Sequence, residues 1–123
     1  LAKRSTRGTL TYHAGQSAEM SVADDYARRG YRILHHRWRG AGGEIDLIAR
    51  DSEGLVFIEV KKSHSFDAAA ARISKRQMAR IYASAAQFLE TEPAGQLTNA
   101  RFDAALVDAS GAVQIIENAF GQV

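Results

Sequence analysis

Two carboxylates stand where apolar strand residues are expected. Asp46 interrupts Ile45-x-Leu47-Ile48, and Glu59 interrupts Val56-Phe57-Ile58-x-Val60 with Lys61 two residues beyond. Such runs are usually buried, and a carboxylate among them must be paired, hydrogen-bonded or bound to a metal. Between the runs lies Arg50-Asp51-Ser52-Glu53-Gly54, a turn signal, so Gly43 to Lys61 reads as strand, turn, strand. Side chains alternate along a strand, which puts Glu59 and Lys61 on one face and likewise pairs Glu44 with Asp46. A loop over Asp51 to Gly54 pairs Arg50 with Leu55 and, by continuation, Asp46 with Glu59 and Glu44 with Lys61. Opposed side chains have Cβ atoms about 5 Å apart, near enough for both acids to grip one cation. A slip of one residue would put them on opposite faces. Two like charges so close in apolar surroundings repel, and a divalent cation or a shared proton relieves the repulsion. Glu44 opposite Lys61 is either the lysine's electrostatic partner or only a cross-strand ion pair.

The blocks Gly43-Glu44-Ile45-Asp46-Leu47-Ile48-Ala49 and Val56-Phe57-Ile58-Glu59-Val60-Lys61, in that order, resemble the PD-(D/E)XK nuclease superfamily and its YraN-like branch, related to archaeal Holliday-junction resolvases. Gly15-Gln16-Ser17-Ala18-Glu19, Ile73-Ser74, Arg76-Gln77, Arg101-Phe102-Asp103 and Glu117-Asn118-Ala119-Phe120 fit the same branch. Ile45 stands where the superfamily consensus has proline, and Lys62-Ser63 where YraN-like chains more often carry a small residue and arginine. The resemblance implies a restriction-endonuclease-like α/β sandwich and a metal-dependent endonuclease acting on DNA, branched DNA included. It implies Mg2+, with Mn2+ as a substitute, held by Asp46 and Glu59 with help from Glu19 and the Val60 carbonyl. Lys61 would orient the attacking water or stabilise charge developing on the phosphoryl group; service as the base would need a large fall in its pKa. Junction-cutting relatives work as dimers, so a homodimer is implied too.

At 123 residues the chain fits one domain with a real core. It has no cysteine, which suits a reducing compartment. No apolar run approaches a membrane span and the basic start lacks a signal peptide's apolar segment, so the expectation is a soluble cytoplasmic protein. A net charge of +2 is too small to argue for nucleic acid. The positive charge is clustered, however, in Arg28, Arg29, Arg32, Arg37 and Arg39, and again in Arg72, Lys75, Arg76 and Arg80. Clusters are what a phosphate backbone responds to, although solvated faces have the same composition.

Those chemical groups need elements to hold them. Residues 1–14 carry basic residues without apolar period and are expected to form a flexible arm, leaving 15–123 as the folded domain. Ser17 to Arg29 has helical period, with Val22, Ala23 and Tyr26 on one stripe and Gly30 as C-cap. Glu19 shares that stripe: it either favours the helix dipole or, as the resemblance implies, completes an acidic cluster. Tyr31 to Trp38 alternates as a strand that points His35 and His36 apart, and Trp38 is assigned to packing. Ser63 to Arg72 lacks a pattern and is expected to be a mobile connection, with His64 exposed on it. Ser74-x-x-Gln77 is a capping-box pattern opening a helix with the core stripe Met78, Ile81, Ala85, Phe88 and Leu89. Gln77 is either half of that cap or support for the site. Arg72, Arg76 and Arg80 recur every four residues, a spacing suited with Arg39 and Lys62 to a phosphate backbone. Arg101 to Asp108 and Val113 to Ile116 read as further strands; Asp103 is expected to pair with Arg101 or an arginine of the second helix, and otherwise to support the site. The order α-β-β-β-α-β-β predicts a mixed sheet flanked by helices. Two other functions stay open: a nucleic-acid-binding module of the same fold without turnover, and a protein-interaction domain whose buried charges form a satisfied network.

Overall fold

The computed structural model describes residues 17–120; the proposed arm at 1–14 lies outside them, as do Gly15 and Gln16. Helix α1 covers residues 17–28 and is followed by β1 (Arg32–Gly40), β2 (Gly43–Arg50) and β3 (Leu55–Lys62). A short helix α2 (Phe66–Ala70) and the long α3 (Lys75–Leu89) lead to β4 (Ala100–Val107) and β5 (Val113–Ile116). The strands form one sheet in chain order, antiparallel except where β3 lies parallel to β4 across the α2–α3 connection. This is the expected mixed α/β order, consistent with a restriction-endonuclease-like fold. α2 replaces the expected mobile connection: Ser65 Oγ accepts from Ala68 N–H at 3.0 Å and starts a helical turn that buries Ala69.

Each face of the sheet carries its own core. Ala18, Val22 and Tyr26 of α1 pack with Leu47, Ala49, Val56, Ile58, Ala105 and Val107. Ile81, Ala85, Phe88 and Leu89 of α3 pack on the other face with Ile48, Leu55, Phe57 and Ala104. Gly30, with φ 95°, ends α1 in a Schellman turn, Tyr31 N–H donating to the Tyr26 carbonyl and Gly30 N–H to that of Ala27. Trp38 packs edge-on to Phe88 with ring centroids 5.3 Å apart, the packing role expected of it.

The β1–β2 pair departs from strict alternation. His35 pairs with Ile48 after a register shift, and its ring meets Phe88 at 5.5 Å, on the side of Leu34 and Trp38 rather than of Ile33. Further along, His36 pairs with Leu47 of the α1-side core, while Trp38 pairs with Ile45 and both join the α3-side core. The change of face falls at Arg37 and Asp46, where Arg37 takes the left-handed φ of 54°. A non-glycine residue with positive φ is uncommon and usually sits where the chain must turn out of a regular ladder.

Candidate active site

The β2–β3 register is the one that a loop over Asp51 to Gly54 dictates. Asp51 Oδ1 accepts from the N–H groups of Glu53 and Gly54, and pairing runs from Arg50 with Leu55 to Leu47 with Ile58. At the next position the side chain takes over from the backbone. Asp46 Oδ2 accepts from Val60 N–H at 2.8 Å, so its carboxyl lies against the strand that carries Glu59 and Lys61. Burial is the largest influence on Asp46. With the neighbouring Glu59 carboxyl it pushes the Asp46 pKa up to about 8, against the pull of Val60 N–H and Lys61.

Glu59 is 4% exposed, with Lys61 Nζ 3.3 Å from its Oε2 and Gln77 Nε2 donating to the same oxygen. Gln77 reaches Glu59 because Ser74 caps α3: Ser74 Oγ accepts from Gln77 N–H at 3.1 Å. The capping box is therefore half formed, with the Gln77 amide turned from the cap to the acid. This also brings the first turn of α3, with its partial positive charge, toward the carboxyl pair.

Several sequence expectations are corrected. Glu44 does not partner Lys61; it lies 3.8 Å from Arg39, its neighbour across the β1–β2 ladder, while Lys61 turns to Glu59. Regular β2–β3 pairing stops at Leu47, so extending the register to Glu44 fails. Glu19 does not join Asp46 and Glu59 in a three-carboxylate cluster. Arg37 Nε donates to both its oxygens at 3.0 and 3.1 Å, which satisfies a carboxylate whose side chain is only 15% exposed. Among the described residues no three His, Cys, Asp or Glu side chains are grouped to hold a metal. Arg72 precedes α3 and donates to the Lys62 carbonyl at 2.6 Å, so the helical arginine stripe reduces to Arg76 and Arg80. Both are exposed, as is Arg39.

Asp103 lies away from this group, fully buried on the α1 side. It accepts from Tyr26 Oη at 2.7 Å, from Arg101 at 2.8 and 3.0 Å, and from Asn118 N–H at 2.9 Å. Burial and this carboxylate push the Tyr26 phenol well above its usual range. The ion pair expected from Arg101-x-Asp103 is present, and Asn118, with φ 52°, brings the C-terminal segment onto it. Sequence reasoning missed the clamp of Arg37 on Glu19, for which the only signal was one more arginine in a basic segment. It missed Ser84 too, a buried polar residue on the apolar stripe of α3 whose hydroxyl donates to the Gly43 carbonyl at 2.7 Å.

Fold and site together define an α/β sandwich that holds an acidic pair and a lysine where two central strands part. The chain belongs to the family described as Uncharacterised protein family UPF0102, whose model matches residues 18–107. It is 62% identical to a UPF0102 protein of Cereibacter sphaeroides over 92% of this chain and 97% of the relative. It is 56% identical to one of Ruegeria pomeroyi over 94% of each, and 56% identical to one of Roseobacter denitrificans over 94% of this chain and 89% of that protein. No described helix is long and apolar enough to cross a membrane.

Proposed function

We propose that this protein is a metal-dependent endonuclease that hydrolyses phosphodiester bonds of DNA, branched or junction DNA among its substrates, in the cytoplasm. The observation that carries the reading is the convergence of Asp46, Glu59 and Lys61 at the end of the β2–β3 ladder, where Asp46 accepts from Val60 N–H and Lys61 meets Glu59, with burial and Glu59 raising the Asp46 pKa to about 8. Two crowded carboxyls suit a hard divalent cation, and Mg2+ binds proteins through one or two carboxylates while keeping its waters and taking substrate phosphate oxygens. Asp46 and Glu59 would hold it. When bound, such an ion polarises a phosphoryl oxygen and acidifies water at neutral pH. Lys61, fixed against Glu59, presents its ammonium to a non-bridging phosphoryl oxygen and stabilises charge that grows as water attacks phosphorus. Gln77 keeps Glu59 oriented. Exposed Arg39, Arg76 and Arg80, with Lys62, supply charge for the strand backbone. A symmetric junction needs two cuts, which calls for a homodimer.

The test is a panel of linear, flapped, forked and four-way DNAs, and RNA, incubated with Mg2+ or Mn2+. Cleavage by the wild type that disappears in Asp46→Ala and Lys61→Ala is expected, and equal cutting by Lys61→Ala would sink the mechanism. The engagement of Glu19 by Arg37 favours a second reading, a DNA-binding module without turnover. Salt-dependent binding with no metal-dependent cutting of any substrate would select it.

A further inference from the structure

The β1–β2 hairpin is seated on α3 through its glycines. A Cβ at Gly42 would stand 2.6 Å from the Arg80 carbonyl oxygen, and one at Gly40 would stand 2.8 Å from Ser84 Oγ. Ser84 Oγ donates to the Gly43 carbonyl, and Ala41 N–H donates to Gln87 Oε1, each at 2.7 Å. Between hairpin and helix an open cleft of about 330 Å3 remains, with Arg39, Gly43, Glu44, Gln77 and Arg80 in its walls. We propose that this cleft seats one backbone phosphate of a DNA strand, a neighbour of the phosphate that would be cut beside Asp46, Glu59 and Lys61. The identity of the ligand rests on the nuclease reading above.

Three features support the assignment. Both guanidiniums are available: Arg80 makes no ion pair among the described residues, and Arg39 meets Glu44 only at 3.8 Å with side chains 76% and 38% exposed. Such an exposed pair holds weakly and leaves guanidinium donors for a phosphate, whose oxygens match the planar fork. The wall stays net positive with Glu44 counted. Gln77 is common to the cleft and the acidic group, since its Nε2 donates to Glu59, so a strand in the cleft passes directly to the carboxyls. Arg76, one helical turn before Arg80, continues the positive track and favours a polymer over a free phosphate.

The experiment measures binding of a fluorescein-labelled oligonucleotide in EDTA from 50 to 200 mM salt, for the wild type, Arg39→Ala/Arg80→Ala and Arg28→Ala. Arg28 is an exposed arginine of α1, on the other side of the sheet. The double variant is expected to bind at least tenfold more weakly with a log–log salt slope reduced by about one to two. Arg28→Ala should stay within about twofold, and unchanged thermal midpoints show that all three are folded. Equal affinity and slope in the double variant overturn the proposal. So does inorganic phosphate that binds in an arginine-dependent way but leaves oligonucleotide affinity untouched, for then the cleft is a free-phosphate site. Arginine-dependent binding without Mn2+-dependent cutting keeps the cleft and removes the nuclease reading. Cutting by the double variant with unchanged KM does the reverse.

Discussion

Asp46 is the residue on which the proposed chemistry turns, and its protonation gives a direct handle. An unperturbed aspartate has a pKa of about 3.9, whereas burial, then Glu59, pushes Asp46 up to about 8. Between those values the folded protein holds a proton that the unfolded chain has lost. The stability contributed by the protonated form is thus fully present below about pH 4 and is lost as pH rises through about 8. Urea denaturation in EDTA should therefore show the wild type losing stability relative to Asp46→Asn between pH 5 and 8. The difference should approach tenfold in the unfolding equilibrium per pH unit. Parallel profiles for the two proteins would mean that Asp46 ionises as it does in an open chain.

At the scale of elements, Asp103 joins pieces that are distant in sequence. Tyr26 of α1, Arg101 of β4 and the Asn118 backbone all end on one buried carboxylate. Tyr31 accepts from Arg101 at 2.8 Å and stands edge-on to Tyr26 at 5.2 Å between ring centroids. The acid therefore serves the junction of α1 with β4 and stands outside the proposed catalytic group. Removing one partner from a buried ion pair costs about 3–5 kcal/mol, because the remaining charge keeps its burial penalty. Arg101→Met should lose about 3 kcal/mol, near the low end, since Tyr26 and Asn118 still donate to Asp103. Chemical denaturation measures this, and DNA binding of the folded fraction should be unchanged. A loss under about 1 kcal/mol would show that Arg101 adds little beyond those two donors.

For the whole molecule, the proposed function links cation binding to folding through the crowded carboxyls. A ligand that binds only the folded state stabilises it by about 2.7 kcal/mol at a hundred times its Kd. That is several degrees in Tm for a domain of this size. Mn2+ should accordingly raise the Tm of the wild type, EDTA should reverse the rise, and Asp46→Asn/Glu59→Gln should show neither effect. An equal Mn2+ shift in that double variant would place the cation elsewhere.

Local order fixed much of this protein. The apolar runs on either side of Asp51 to Gly54 set the β2–β3 register from Arg50–Leu55 to Leu47–Ile58, because a period of two and a short loop leave one in-face pairing; Asp46 lies one residue beyond it and reaches the Glu59 strand through Val60 N–H. The stripes of α1 and α3, the Gly30 stop and the Arg101–Asp103 pair were equally legible. Tertiary structure alone decided the rest. Left-handed Arg37 changes the face of β1 opposite the turn at Asp46 and takes Glu19; Gln77 leaves its cap for Glu59; Gly42 admits the hairpin to α3. Each of these joins groups from different elements in competition for a buried partner, and which partner wins depends on distances that no periodicity in the chain encodes.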